Sequence, residues 1–176
     1  MKTFENNKIF IKSDEYIYRV EHLTLEGSCS MDHGPKNIKI KNLYVDKYPV
    51  TNKQYLSFVK KTGYTPSDTQ RFLAHKPDKN NSNLPVVCVS QKDAMEYAKW
   101  AGGRLPTDEE WQYIAAGPDY LEWPWGEEFD PSLCNHDQNS LTAVNSHKKG
   151  ASWVGCEDLS GNAWEWTSGV YDDGEH

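Results

Sequence analysis

Hydrophobic and polar positions alternate along the first quarter of the chain. Short alternating runs between residues 9 and 26 predict two or three strands. A turn-rich segment follows at 27–35, and residues 37–45 then alternate again before the pattern changes phase, which is typical of a strand with a bulge. The N-terminal part is therefore expected to form short strands.

Three helices are predicted from their N-terminal caps and from apolar residues spaced three and four apart. Each cap is a hydroxyl side chain that can accept a hydrogen bond from the first helical turn, and the caps are Thr51, Ser90 and Thr107. Glycine follows each helix, as is typical of a C-terminal stop. The apolar run 84–89 predicts a short buried strand before the second helix.

Regular periodicity disappears after residue 117, where Trp, Tyr, Gly, Asn and Asp dominate. No Gly/Ser-rich or Pro-rich linker divides the chain, so residues 1–176 are expected to form one domain. Strands followed by helices and then by a long irregular stretch favour the α+β class over a parallel, doubly wound fold.

Composition excludes several classes of protein. Hydrophobic residues make up only 37% of the chain, but 12% of the residues are aromatic, and large rings can form a core where disordered chains cannot. The net charge of −7 argues against nucleic acid and anionic membrane surfaces as partners. There is no long apolar run and no visible signal peptide, so a cytoplasmic location is the simplest expectation.

The four cysteines are widely spaced in the sequence, and no two of them form a CxxC motif. The nearest mixed pairs are Cys29 with His33 and Cys134 with His136, either of which could be a pair of metal ligands. The alternative is that all four are isolated thiols in a reducing compartment.

Several longer motifs occur in a fixed order. They are YPVTNKQYLSF at 48–58, GRLPTDEEWQYIAAG at 103–117, WPWG at 123–126, CN at 134–135 and LSGNAWEWTS at 159–168. Together they resemble the sulfatase-modifying-factor family, whose best-known member is the formylglycine-generating enzyme. The resemblance implies a variant of the C-type-lectin-like fold, with small antiparallel sheets, about three helices and much irregular loop.

The resemblance also implies a calcium site in the last of these motifs. Carried over residue by residue, Asp158 and Glu165 would supply side-chain oxygens, and Gly161 and Ala163 would supply backbone carbonyls. Hard oxygen ligands of this kind suit Ca²⁺. The alternative is that Glu165 joins a network with an arginine or with the backbone. The family's second calcium site is not carried over, because residues 135–144 lack the acidic partner loop.

Other conspicuous side chains have structural interpretations. We expect Trp111, Trp125 and Trp164 to be core residues rather than surfaces on which a ligand stacks. Arg104 is expected to pair with Glu109, Glu110 or a buried carboxylate. A carboxylate between two tryptophans, as at Glu165, needs a partner such as a cation or an arginine.

The enzymes of this family oxidise a substrate cysteine to formylglycine with copper held by two cysteines, which suit soft Cu(I). Those cysteines follow the Trp-Glu-Trp motif, but no cysteine follows Cys156 here. The copper ligands are therefore absent, no catalytic residue is assigned, and we expect the chain alone not to oxidise cysteine. Two explanations for the missing cysteines stay open. The chain is either a fragment, or one half of a split protein, whose missing part holds the copper site, or it is a shortened paralogue that kept the scaffold and lost the chemistry.

The alternative function is a lectin-like binding module that recognises a peptide, a glycan or a partner protein, because Trp, Tyr and Asn give rigid amphipathic contacts. An iron site with three histidines is disfavoured because no closely spaced histidine motif is present. The family's terminal strands are also missing, so we expect an open sheet edge that a dimer partner or a second chain covers.

Overall fold

The computed structural model describes residues 7–19, 35–75, 81–136 and 140–169. Four short strands come first: β1 (Lys8–Ile11), β2 (Asp14–Tyr18), β3 (Lys36–Ile40) and β4 (Leu43–Asp46). Strand β1 pairs antiparallel with β4, and β2 pairs antiparallel with β3. Residues 20–34, where a further strand was expected, lie outside the described residues.

The two small sheets form one bent ribbon. Ile11 faces Leu43 in the first sheet and Asp14 faces Ile40 in the second, so two residues lie between the sheets on each side of the ribbon. The same register therefore continues across the break, where the Ser13 N–H donates to Asn42 Oδ1 at 2.7 Å. The predicted bulge was wrong, because no extra residue is inserted into either side of the ribbon.

The helices are α1 (Asn52–Thr62), α2 (Thr69–Ala74), α3 (Gln91–Trp100) and α4 (Asp108–Ala116), and a 3₁₀ turn covers Lys148–Gly150. The three helices predicted from their caps are confirmed, and each begins with a full capping box. Helix α2 was not predicted. It has only six residues, too few for an apolar stripe, and begins where the Asp68 carboxylate accepts from the Arg71 N–H.

The strand predicted over residues 84–89 was wrong. Only an isolated bridge joins Thr51 to Pro85, flanked by bonds from the Val86 N–H to the Val50 carbonyl at 2.8 Å and from the Asn52 N–H to the Leu84 carbonyl at 2.9 Å. Proline has no N–H to donate, and Cys88 has a φ of 59°, which is outside the extended region. The apolar run therefore leaves strand geometry after two residues.

Aromatic rings form much of the two hydrophobic clusters. One joins the ribbon to α4 and consists of Ile11, Tyr16, Ile40, Tyr113, Ile114 and Cys156. The other joins the remaining helices and consists of Tyr55, Phe58, Phe72 and Tyr97. Edge-on contacts such as Tyr16 with Tyr113, whose centroids are 5.1 Å apart, are typical of such cores. None of the helices in the described part of the chain is long and apolar enough to cross a membrane.

Candidate functional site

A tight turn lies between residues 158 and 163, within the segment that the sequence predicted as a calcium site. Three of its residues have left-handed backbone geometry: Asp158 with a φ of 62°, Gly161 with 96° and Asn162 with 64°. Asp and Asn tolerate this region better than most residues other than glycine. The consecutive turns fold the segment back on itself and place polar groups close together.

Asn162 ties this turn to a neighbouring loop. Its Nδ2 donates to Asp158 Oδ2 and to the Thr142 carbonyl, both at 3.1 Å, and its Oδ1 accepts from the Thr142 N–H at 3.0 Å. The Asn135 side chain donates to the same oxygen at 3.1 Å. Asn162 was not among the site residues predicted from the sequence, although an asparagine directly after a glycine is a recognisable turn signal.

Gly161 is required by the close approach of the backbone. A Cβ atom at this position would lie 2.6 Å from the Asn135 carbonyl oxygen. The Asn162 N–H also donates to that oxygen at 2.9 Å, which holds the two segments together. The turn can therefore pack against Asn135 only with a residue that has no side chain.

Glu165 accepts a hydrogen bond from the indole of Trp111 on helix α4, at 2.7 Å between Nε1 and Oε2. Glu165 is exposed as a residue, but neighbouring atoms of the fold partly desolvate its carboxylate. This desolvation raises the pKa of Glu165 to about 7; the Trp111 bond lowers it, and the charge of Asp158 raises it further. The partner is thus an indole N–H, neither the arginine nor the backbone group considered above.

Asp158 is buried, and this burial raises the pKa of its carboxyl group above the usual range. The Asn162 hydrogen bond and His147, whose Nδ1 lies 4.0 Å from Asp158 Oδ1, act in the opposite direction. Each of the two carboxylates, Asp158 and Glu165, therefore lies where its own negative charge is unfavourable. A nearby cation would lower that cost for either group.

The segment after Glu165 is held across the starts of two helices. The Trp166 indole donates to the Val89 carbonyl at 2.9 Å, just before α3. Gln91 Nε2 then donates to the carbonyls of Thr167 and Gly169 at 2.8 and 2.7 Å. The Thr167 hydroxyl also bonds to Asp108, at the start of α4. These contacts hold the segment beside α4. Glu165 can therefore contact Trp111 although the two residues are 54 positions apart in the sequence.

The three tryptophans that were expected in the core differ in their burial. Trp111 and Trp125 are half-buried, but Trp164 is 103% exposed, so its assignment to the core was wrong. A large ring predicts burial on average, but no neighbouring element in the described part of the chain covers this one. The Arg104 prediction is confirmed, because its guanidinium makes two bonds to the Glu110 carboxylate at 2.6 and 2.7 Å.

Three cysteines lie in the described ranges, the half-buried Cys88 and the buried Cys134 and Cys156, and all three are free thiols. Burial raises the pKa of the Cys134 thiol, and it raises that of Cys156 to about 12. Cu(I) binds thiolates, and burial disfavours that form at both positions. No cluster of three or more His, Cys, Asp or Glu able to hold a metal occurs in the described ranges. Cys29 and His33 lie outside those ranges, and His136 packs edge-on against Phe129.

Comparison with known proteins identifies the family. The model of the family described as sulfatase-modifying factor enzyme 1-like domain matches residues 6–176. The chain belongs to this family. It is 30% identical to a formylglycine-generating enzyme of Thermomonospora curvata in an alignment of 188 positions, gaps included, that covers 76% of this chain and 62% of that relative. The chain therefore spans less than two thirds of that relative's length.

Members of the family differ in whether they are named as active. This sulfatase-modifying-factor chain is also 30% identical to an inactive C-alpha-formylglycine-generating enzyme 2 of Bos taurus, in an alignment of 191 positions, gaps included, that covers 78% of this chain and 64% of that one. The structure of PvdO from Pseudomonas aeruginosa matches with a TM-score of 0.70 and 22% identity, over 94% of this chain and 71% of PvdO. This likeness confirms the α+β, C-type-lectin-like fold, and it bears on the fold alone.

Proposed function

We propose that this chain acts as a recognition domain of the sulfatase-modifying-factor type and does not oxidise cysteine by itself. The observation that carries the proposal is that the described cysteines, Cys88, Cys134 and Cys156, are free thiols, and none belongs to a cluster of three or more potential metal ligands in the described ranges. Copper chemistry in this family requires two thiolates, and burial disfavours the thiolate form of Cys134 and Cys156. No oxidation step is therefore assigned to the described residues.

Exposed aromatic side chains support recognition as the alternative role. Trp164 is fully exposed, and Trp153, Trp166 and Phe129 each have a little less than half of their surface in solvent. Large exposed rings are enriched where proteins bind peptides, glycans and other proteins. The sequence-based expectations of a partner along an open strand edge and of a cytoplasmic location stay predictions.

The competing proposal is formylglycine generation on a sulfatase cysteine, which the name of the Thermomonospora curvata relative supports. Because Cys134 and Cys156 are buried, it would need at least one thiolate ligand from outside the described residues in addition to Cys88. Oxygen consumption with a peptide carrying the sulfatase motif, in the presence of copper, separates the two. We expect no consumption above a protein-free control, while a formylglycine-generating enzyme assayed in parallel consumes oxygen. Oxygen turnover that depends on this chain would overturn the proposal. If the variant Cys29→Ser then lost that turnover, Cys29 would be identified as a copper ligand.

We further propose that the turn containing Asp158 and Glu165 holds Ca²⁺. The two carboxylates and the carbonyls of Gly161 and Ala163 are hard oxygen donors, as calcium requires. The Gly161 carbonyl accepts from the Ala163 N–H at 2.8 Å, which leaves its second lone pair for a ligand. Bound calcium would place a positive charge next to both carboxylates, and it would also stiffen the turn that carries Trp164.

Calorimetric titration of the metal-stripped protein with Ca²⁺ tests this site. We expect heat on binding and a higher melting temperature, and we expect the affinity to increase as the pH rises through about 7, because calcium binds the deprotonated form of Glu165. Glu165→Gln should abolish binding, whereas Glu122→Gln, at an exposed acid elsewhere, should not. Absence of both heat and thermal stabilisation in the wild-type protein would contradict the proposal.

A further inference from the structure

Residues 123–126 form a tight turn that places two tryptophans side by side. The backbone N–H groups and carbonyls of Trp123 and Gly126 bond reciprocally at 2.9 and 3.0 Å. The rings of Trp123 and Trp125 are stacked, with centroids 5.8 Å apart and planes only 16° from parallel. The Trp125 indole also donates to the Glu128 carbonyl at 3.1 Å, which fixes its orientation.

A third ring completes an aromatic corner. The Phe129 centroid lies 4.8 Å from that of Trp123 and 6.4 Å from that of Trp125, with planes tilted by 52° and 43°. Phe129 is 45% exposed, so it faces solvent rather than the core. The three rings therefore hold one another in place at the surface, and none of them belongs to the two hydrophobic clusters.

A cavity of about 500 Å³, largely open to solvent, lies beside these rings. Because it is open, it suits one side chain of a larger ligand better than an enclosed small molecule. Trp125, Phe129, Pro131 and Leu133 supply apolar walls, and three carboxylate residues supply the polar lining, namely Glu127, Glu128 and Asp130. Apolar walls combined with acidic groups select an organic cation over a neutral or anionic ligand.

The segment that contains this cavity is acidic, although Lys149, just beyond it, acts on Asp130. Residues 105–147 contain nine Asp or Glu and no Lys or Arg, while the whole chain has a net charge of −7, so the rest of the chain is slightly basic. Two hydrogen bonds from Ser132, at 2.8 Å from its N–H and 2.7 Å from its hydroxyl, hold the pKa of Asp130 below its usual range, with Lys149 also lowering it. Asp130 is therefore ionised at neutral pH.

We propose that the cavity beside Trp125 and Phe129 binds the guanidinium of an arginine side chain presented by a basic peptide. A guanidinium is planar and stacks on aromatic faces, and Trp gives the strongest cation–π attraction. The methylene stem of arginine would lie against Pro131 and Leu133 while the carboxylates pair with the charge. This site uses none of the residues of the Asp158–Glu165 turn and stands independently of it.

Two peptides that differ only in charge test the proposal: acetyl-Gly-Arg-Gly-amide and the same peptide with neutral citrulline in place of arginine. The readout is the ¹H–¹⁵N NMR resonance of the Trp125 indole during titration of the full chain. We expect a saturable shift with the arginine peptide and at least about fivefold weaker binding of the citrulline peptide. Equal affinity for the two peptides, or no shift of this resonance, would overturn it.

Matched variants locate the binding. Glu127 and Glu128 are exposed, so the double variant Glu127→Gln/Glu128→Gln should fold normally and bind the arginine peptide about fivefold or more weakly. The control Glu15→Gln/Asp119→Asn removes the same charge at exposed positions outside the cavity and should change affinity less than about twofold. Phe129→Leu tests the ring separately and should also weaken binding. Wild-type affinity in both cavity variants would overturn the proposal.

Discussion

Replacement of Asp93 by alanine is expected to lower the free energy of unfolding by about 3 kcal/mol. Asp93 is fully buried at the start of α3, where its carboxylate accepts bonds from the N–H groups of Ser67 and Ser90 and from the hydroxyls of Ser67 and Tyr64. The alanine variant would leave these donors without their acceptor and would also remove the capping box. Urea denaturation monitored by circular dichroism measures the change.

The neighbouring variant Lys92→Ala provides the control, because this exposed residue lies on the same helix and should change stability by less than about 0.5 kcal/mol. A loss of similar size in both variants would show that helix propensity, rather than the buried carboxylate, accounts for the effect of replacing Asp93.

The same carboxylate predicts an acid dependence of stability. Burial alone would raise the pKa of Asp93, but the hydrogen bonds from Ser90, Ser67 and Tyr64 outweigh it and hold the pKa below the usual range. The unfolded chain therefore takes up this proton at a higher pH than the folded chain. Its stabilising contribution is complete above about pH 4 and is lost as the pH falls through the folded pKa. Asp93→Asn should flatten this acid limb, and an unchanged acid limb would contradict the assignment.

Gly161→Ala is expected to cost about 3 kcal/mol of unfolding free energy. The added Cβ would meet the Asn135 carbonyl oxygen at 2.6 Å, and the φ of 96° is unfavourable for alanine. Because the contact is with backbone, no side-chain rotation relieves it. Thermal or urea denaturation gives the stability, and the indole resonances of the tryptophans report whether the turn has moved.

Gly102→Ala is the matched control for Gly161→Ala. Gly102 also has a left-handed backbone, with a φ of 83°, but no atom lies within 4 Å of the position of its Cβ. This variant should therefore carry only the conformational penalty, about 1 kcal/mol. Equal losses for the two glycines would mean that the close approach to Asn135 does not constrain the turn.

Local chemistry explains which elements the sequence predicts correctly. A hydroxyl cap and an acceptor three residues later determine where α1, α3 and α4 begin, because donor and acceptor lie in the same turn. The same reasoning fails for α2, which has a cap but only six residues. It also fails for residues 84–89, where strand geometry depends on pairing with Thr51 and on the backbone of Cys88.

Residue types and their spacing are enough to predict the family motifs, the starts of three helices and the α+β class, and they place Asp158 and Glu165 in one short segment. The burial and the pairing of the side chains follow only from the folded structure. The Trp111–Glu165 bond, the protonated thiol of Cys156 and the exposed ring of Trp164 each depend on neighbours that are distant in sequence, or on their absence among the described residues. Burial and charge are properties of the assembled surroundings, so residue spacing cannot specify them.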